Sequence, residues 1–523
     1  MEEKVFTGFT LEEMQGLTSF VIPDGFQVIG RSAFRGCHSL IDITIPDGIT
    51  IIDQCAFEGC INLKNIVFPE SIITIGAAAF SECFSLEKIL IPNGVKNIEV
   101  YAFRNCINLT DVFIPPTVSY IDDLAFFGCN NLSNIEVSIL NLDYRIIDNC
   151  LVELESKKLL KGLKDCNRIP VDKRVAEIGS FAFRGCQNLT SIYISKNISE
   201  IGFGAFASCK NISSIEVSEN NPNYHSENNC LIDTWLNRLI VGCENSIIPI
   251  DESVNTIEAS AFSDRVNLTS IKIPMCVTSI EAGAFLGCEN LSSIRVSRGN
   301  PVYHSDNNCL IETDSKTLIV GCKDSIIPTD GSVTSIEDYA FTRCKNLLNI
   351  NIPETITSIG YGAFAECVNL KNINIPLNAE IEEAAFSDCK NLENINIPIG
   401  NETIEYQTFA GCESLAEIII PSGITSIGDN AFTECINFTN VVISDTVLNI
   451  ESAAFCKCTN LSKLVIPKNI AKIEGGAFAF CSKLKQLNYE GTIDEFGRIQ
   501  KDNLWLLDSS IEKVICADGD ISF

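Results

Sequence analysis

A phenylalanine set in the phrase Ala-Phe-x-x-Cys, first met at Ala33-Phe34-Arg35-Gly36-Cys37, returns at Phe57, Phe80, Phe103 and Phe126, each 23 residues after the last. It continues through Phe183, Phe206, Phe262, Phe285, Phe341, Phe364, Phe386, Phe409, Phe432, Phe455 and Phe478, giving 16 copies. Self-similarity at so short a period marks a solenoid, because one repeat cannot bury an apolar face alone and closes its core only against its neighbours. A globular chain of 523 residues would split into several domains, whereas a repeat array lengthens by adding coils.

Between successive phenylalanines the same pattern recurs, as in Cys60, Leu63, Ile66, Phe68, Pro69, Ile72 and Ile75. Leu-x-x-Ile-x-Ile alternates at its end with period two and reads as a short strand with its apolar members inward, stacked in parallel on copies 23 residues away. Proline, with no amide hydrogen to donate, ends that strand, and Ile72-Ile73-Thr74-Ile75-Gly76 turns the corner. Ala77 to Cys83 is too short for an independent helix and reads as one helical turn across the outer side, with Phe80 plugging the core.

Leu-x-x-Ile-x-Ile-Pro, Val-x-x-Ile-Gly and Ala-Phe-x-x-Cys together resemble the BspA-type, or Treponema-type, leucine-rich repeat, over roughly residues 17 to 487. The resemblance implies a right-handed leucine-rich-repeat superhelix. A parallel β-sheet would line its concave face, with short helical turns or loops on the convex face. It also implies a role like that of the family's characterised members, cell-surface antigens and adhesins of bacteria and some protists that bind host matrix proteins or other microbes. It supplies no catalytic residues.

Three wider gaps, between Phe126 and Phe183, Phe206 and Phe262, and Phe285 and Phe341, each hold one period plus an insert. Asn221-Pro222-Asn223-Tyr224-His225 matches Asn300-Pro301-Val302-Tyr303-His304, with a more distant copy from Asn141 to Val152. A second apolar run such as Leu239 to Cys243 follows, so each insert (about 138–168, 218–248 and 297–327) reads as a hairpin in an enlarged coil. The domain plan is then an N-terminal capping coil over 1–22, a solenoid over 23–487 and a C-terminal cap over 488–523. In the first, Leu17, Phe20, Ile22 and Pro23 make a truncated coil after a polar start holding Glu2, Glu3, Glu12 and Glu13. In the last, a helix is expected near 493–503, then Trp505 and a strand around 514–516.

A net charge of −29, from 38 Lys and Arg against 67 Asp and Glu, disfavours nucleic acid and anionic lipid as partners. No run approaches the roughly 18 apolar residues of a membrane helix. Met1 to Phe6 lacks the basic start and apolar stretch of a secretory signal, so cytoplasmic residence is the default expectation while the resemblance implies a cell surface. Of 25 cysteines, 15 stand three residues after a repeat phenylalanine, with Arg265 in the sixteenth place, and read as small buried residues rather than metal ligands. Cys230 with Cys243, and Cys309 with Cys322, are expected to face each other across the hairpins, where they are disulfides in an oxidising compartment or buried thiols in a reducing one. His225 and His304 recur by repetition, and no unique nucleophile, base or phosphate-binding glycine loop stands out, so neither catalysis nor a cofactor is expected. The ten Asn-x-Ser/Thr sequons arise mostly from the repeat phrase Cys-x-Asn-Leu-Thr/Ser and read first as asparagines bonding the turn backbone.

The informative variation lies at the residue between the two isoleucines of each strand, which points out of the sheet. Down the stack it reads Thr44, Val67, Leu90, Phe113, Glu136, Tyr193, Glu216, Lys272, Arg295, Asn351, Asn374, Asn396, Ile419, Val442, Val465 and Asn488. Val67, Leu90 and Phe113, and again Ile419, Val442 and Val465, would make exposed apolar rows at strand spacing, and with Tyr193 they are the candidate partner-binding residues. Ordinary β-propensity accounts for the same residue types. The expected function is a non-catalytic protein-binding leucine-rich-repeat protein, an adhesin or antigen by resemblance, with an intracellular docking scaffold as the alternative.

Overall fold

The computed structural model describes residues 4–8, 17–502, 505–506 and 509–523, and the chain forms two compact units, Met1–Ser246 and Ile247–Phe523. Glu2, Glu3, Glu12, Glu13 and Asn503 lie outside the described residues. Each unit is a run of parallel β-solenoid coils, and a regular coil is hydrogen-bonded to its neighbours along three sides.

In the first unit the expected strand of each coil forms ladders such as Ser19–Val21, Asp42–Thr44 and Asn65–Val67, in a register that advances by one period per coil. The segment read as a corner is a second ladder, with Ile29, Ile52, Ile75, Ile98 and Ile121 in line. The third side corrects the expected helical turn. Phe34 N–H donates to Ala56 O at 2.7 Å, and Phe57, Phe80 and Phe103 donate to Ala79, Ala102 and Ala125 at 2.8 Å. Within the coil, Arg35 N–H reaches Ser32 O and Cys37 N–H reaches Phe34 O, but left-handed residues at Ser32 and Gly36 stop the turns from propagating as a helix. The reason is spatial: neighbouring coils are about 4.8 Å apart, while an α-helix with its side chains is about 10 Å across. The second unit repeats the plan, with ladders such as Glu417–Ile420, Asn440–Ile443 and Lys463–Ile466.

The core is a stack of like on like. Phe34, Phe57, Phe80, Phe103 and Phe126 lie ring on ring at 4.9–5.6 Å and nearly parallel, and Phe341 through Phe478 do so at 4.9–5.9 Å in the second unit. The cysteine column does more than fill space. Cys60 Sγ donates to Phe34 O at 3.1 Å, Cys83 to Phe57 O at 3.2 Å, Cys106 to Phe80 O at 3.1 Å, and the same bond recurs in the second unit at Cys288, Cys367, Cys389 and Cys412. A small apolar side chain that still carries a weak donor suits a buried carbonyl. Five of the ten sequon asparagines behave as expected: Asn108, Asn131, Asn188, Asn211 and Asn290 each donate to a backbone carbonyl of the preceding coil, whereas Asn460 donates to the Asn437 side chain.

The inserts are three-stranded antiparallel meanders rather than simple hairpins: Tyr144–Ile147, Cys150–Glu153 and Lys158–Gly162, then Tyr224–Glu227, Cys230–Asp233 and Arg238–Gly242, and in the second unit Tyr303–Asp306, Cys309–Glu312 and Thr317–Val320. A bulge after Leu231 sets Cys230 opposite Gly242, so Cys243 is not its cross-strand partner. Cys243 Sγ turns instead to Asn245 Oδ1 at 3.0 Å and Asn229 O at 3.6 Å. Leu310 likewise opposes Val320, with a bulge before Ile311, and Cys322 Sγ lies 3.7 Å from Asn308 O. None of the 25 cysteines is joined in a disulfide.

The ends differ from the expected caps. Val5–Phe6 pairs with Val28–Ile29, so the first coil has strands on two sides, and the residues between them, 9–16, lie outside the described residues. At the other end the helix is only Ile493–Arg498, opened by a capping box of Thr492 and Glu495. Gln500–Lys501, which the sequence places in that helix, instead extends the second ladder beside Lys472–Ile473, where its backbone groups find partners. Trp505 is buried and packs edge-on against Phe478, closing the ring stack, while Lys513–Cys516 turns back on Gly519–Ser522.

Candidate interaction surface

Because Ile43, Ile89 and Val112 are drawn into the core, the pleat turns the intervening residues of the long strands outward. In the first unit Leu90 and Phe113 are register partners, followed by Glu136. Val67 pairs with Thr44 and ends the preceding ladder. Val67 is 76% exposed and Leu90 74%, whereas Phe113 is half-buried. Beside this row, Asp111 accepts hydrogen bonds from Thr110 and Asn134, and these, with Lys88 nearby, hold its carboxyl below the ordinary range. Tyr193 stands apart from these three, exposed and opposite Glu216. In the second unit Ile419, Val442 and Val465 form one continuous row, each exposed and each in register with the next.

Two groups escaped the sequence reading. Ile139 and Leu142 are 85% and 80% exposed on the lip of the first insert, with Leu140 between them also exposed. Laying the inserts on one another would have revealed them, because the same places hold Glu219, Asn220 and Pro222 in the second copy. On the turn side, Tyr101, Phe127, Phe181 and Phe203 pack edge to face in sequence, with Arg184 over the Phe127 ring at 4.7 Å. Tyr101 and Phe181 occupy the left-handed position before Ala-Phe, which the repeat pattern leaves unspecified.

The two insert histidines and two of the insert tyrosines are engaged in structure. Nδ1 of His225 is 2.9 Å from Thr234 Oγ1, and Nδ1 of His304 the same distance from Thr313 Oγ1. The Tyr144 hydroxyl accepts the backbone N–H of Ile121 at 2.8 Å and that of Tyr303 accepts Ile280 N–H at 3.0 Å, each terminating a ladder that the insert interrupts. Among the described residues no group of three His, Cys, Asp or Glu side chains could hold a metal ion, and no helix is long and apolar enough to cross a membrane.

The BspA type leucine rich repeat region matches residues 9–133, 156–249, 237–330, 319–398 and 379–500. The chain belongs to that family. Among solved structures, this leucine-rich repeat chain is similar to a leucine-rich repeat protein from Eubacterium ventriosum, at 22% identity over 64% of this chain and 94% of that one, with a TM-score of 0.45. It is similar to one from Bacteroides ovatus at 21% identity over 93% and 91%, TM-score 0.31. The pneumococcal vaccine antigen PcpA aligns at 16% identity over 82% and 89%, TM-score 0.37. At these identities the likeness is one of fold. No curated protein matches the chain.

Proposed function

We propose that this leucine-rich repeat chain is a non-catalytic protein-binding scaffold that works at a microbial surface as an adhesin or antigen. The observation that carries the binding reading is the outward row at Leu90 and Phe113. Both belong to coils whose inward residues are standard, so packing does not demand them, and they stand side by side in register. The family's surface members support the setting. Repetition argues against catalysis: the histidines recur in equivalent places and are tied to threonines.

An intracellular docking scaffold is the second reading. What favours it is the register that sets Cys230 against Gly242, which takes away a cross-strand pair that an exported chain could oxidise. Protease treatment of intact cells separates the two: loss of the protein supports the surface, and protection supports the interior.

The binding row is tested by Leu90→Ser with Phe113→Ser, assayed for retention of partners captured by the wild-type chain. Removing an aromatic anchor costs about 2 kcal/mol or more, so retention should fall by at least about tenfold, while folding stability should change by roughly 1 kcal/mol or less. A folded variant that keeps every partner removes this row and moves attention to Ile139, Leu140 and Leu142.

A further inference from the structure

In the second unit the outward strand changes character over three successive coils. Asn349-Ile350-Asn351, Asn372-Ile373-Asn374 and Asn394-Ile395-Asn396 occupy the places where other coils carry strands, yet only the isolated bridges Asn349 to Asn372 and Asn372 to Asn394 form there. The coil from Phe364 to Phe386 is 22 residues long, with one residue fewer between Pro376 and Ile381 than between Pro353 and Ile359. Where this coil meets the next, Asn396 inserts its side chain into the ladder: Ile375 N–H donates to Oδ1 at 2.7 Å, and Nδ2 donates back to Ile375 O at 2.7 Å. In a regular coil the equivalent amide, Ile91 N–H, donates to the backbone carbonyl of Phe113. Asn401 makes a similar repair, its Oδ1 accepting Ile381 N–H at 2.7 Å.

The opened sheet leaves a groove of about 660 Å³ lined by those nine residues, six of them asparagine and three isoleucine. Asn394 Nδ2 donates to Asn372 Oδ1 at 2.9 Å. Asn349, Asn351 and Asn374 are exposed, and their carboxamides make no hydrogen bond to the described residues. No charged group lines the groove. The uncommitted carboxamides of Asn349, Asn351 and Asn374 therefore offer paired donors and acceptors, repeated from coil to coil at about 4.8 Å.

We propose that this groove binds a neutral, extended β-linked glycan lying across the coils with one sugar ring per coil. Three properties of the site select that ligand. Absence of charge in the lining suits hydroxyl and acetamido groups and gives nothing to a sulfate or carboxylate, which the chain's net charge of −29 further repels. A carboxamide matches a vicinal hydroxyl pair because it can donate and accept together. The spacing decides against peptide: a pyranose ring in an extended β-linked chain advances by nearly one coil rise, whereas an extended peptide advances about 3.3 Å per residue and falls out of step.

The test is calorimetric titration of the full chain with cello- and chito-oligosaccharides of increasing length, alongside hyaluronan and heparin fragments. Saturable binding of a neutral series is expected, strengthening up to three rings and levelling beyond, because three coils carry the array. Asn351→Ala with Asn374→Ala removes amides that hold nothing in the fold, so the melting midpoint should stay and neutral-glycan affinity should fall at least about tenfold. The Leu90→Ser, Phe113→Ser variant should bind glycan as wild type does, which keeps this site distinct from the protein-binding row. Failure of every neutral oligosaccharide to bind, preference for the anionic fragments, or unchanged binding by the asparagine variant would overturn the proposal.

Discussion

At the scale of the residue, the buried thiols of the repeat and of the inserts tie stability to alkaline pH. Burial pushes Cys37 and Cys456 up to about 11 from an ordinary 9.0. It pushes Cys186, Cys230, Cys288, Cys309, Cys389 and Cys481 up to about 12. Below pH 9 these thiols are protonated in both folded and unfolded chains, so their contribution is fully present. Above it the unfolded chain releases protons that the folded chain retains, and each such group removes about 1.4 kcal/mol per pH unit until pH passes its folded value. The guanidinium midpoint should hold steady from pH 7 to 8.5 and fall steeply between 9 and 11. A midpoint that stays flat to pH 11 would mean the thiols are not sequestered. Arg265 breaks the column: it is fully buried where a thiol is expected, and its Nη1 donates to Ser263 O at 3.1 Å.

At the scale of the element, one asparagine organises each insert. Asn141 is fully buried; Nδ2 donates to Pro115 O and Val118 O, while Oδ1 accepts from Asp143 N–H and Tyr144 N–H. Asn221 and Asn300 repeat all four bonds. Only a carboxamide can serve two carbonyls and two amides together. Asn141→Asp loses both donated bonds and places a carboxylate against two carbonyls, at a cost of about 3 kcal/mol or more to the first unit. Chemical unfolding checks it, and a loss below about 1 kcal/mol would show that the meander holds itself. The first insert also brings Cys150 and Cys166 to 3.5 Å between sulfurs, where the other copies place Ser246 and Ser325.

At the scale of the whole molecule, each coil shares its core with its neighbours within its own unit, so damage should spread along that unit's stack rather than unfold everything at once. Phe364 is fully buried between Phe341 at 4.9 Å and Phe386 at 5.4 Å. Phe364→Ala should cost about 3–5 kcal/mol, and amide exchange should accelerate most between residues 341 and 386 and fade within a few coils. Exchange that quickens uniformly through the second unit would instead show one cooperative block.

The period, the inward leucine and isoleucine positions, the proline stops and the phenylalanine and cysteine columns were legible in the sequence. Each is a local pattern copied many times, and a fixed period sets the register of like residues without further information. The outward row was legible too, because alternation alone turns Leu90 and Ile419 away from the core. Tertiary structure decided what depends on the distance between coils. The spacing of stacked strands excludes a helix behind every strand and makes left-handed turns at Ser32 and Gly36 the third side. A bulge at Leu231 moves Cys243 out of register with Cys230, and cross-strand counting does not see it. One residue missing between Pro376 and Ile381 changes nothing in the apolar pattern, yet Asn396 and Asn401 must fill the broken ladders with their side chains, and the asparagine groove opens beside them.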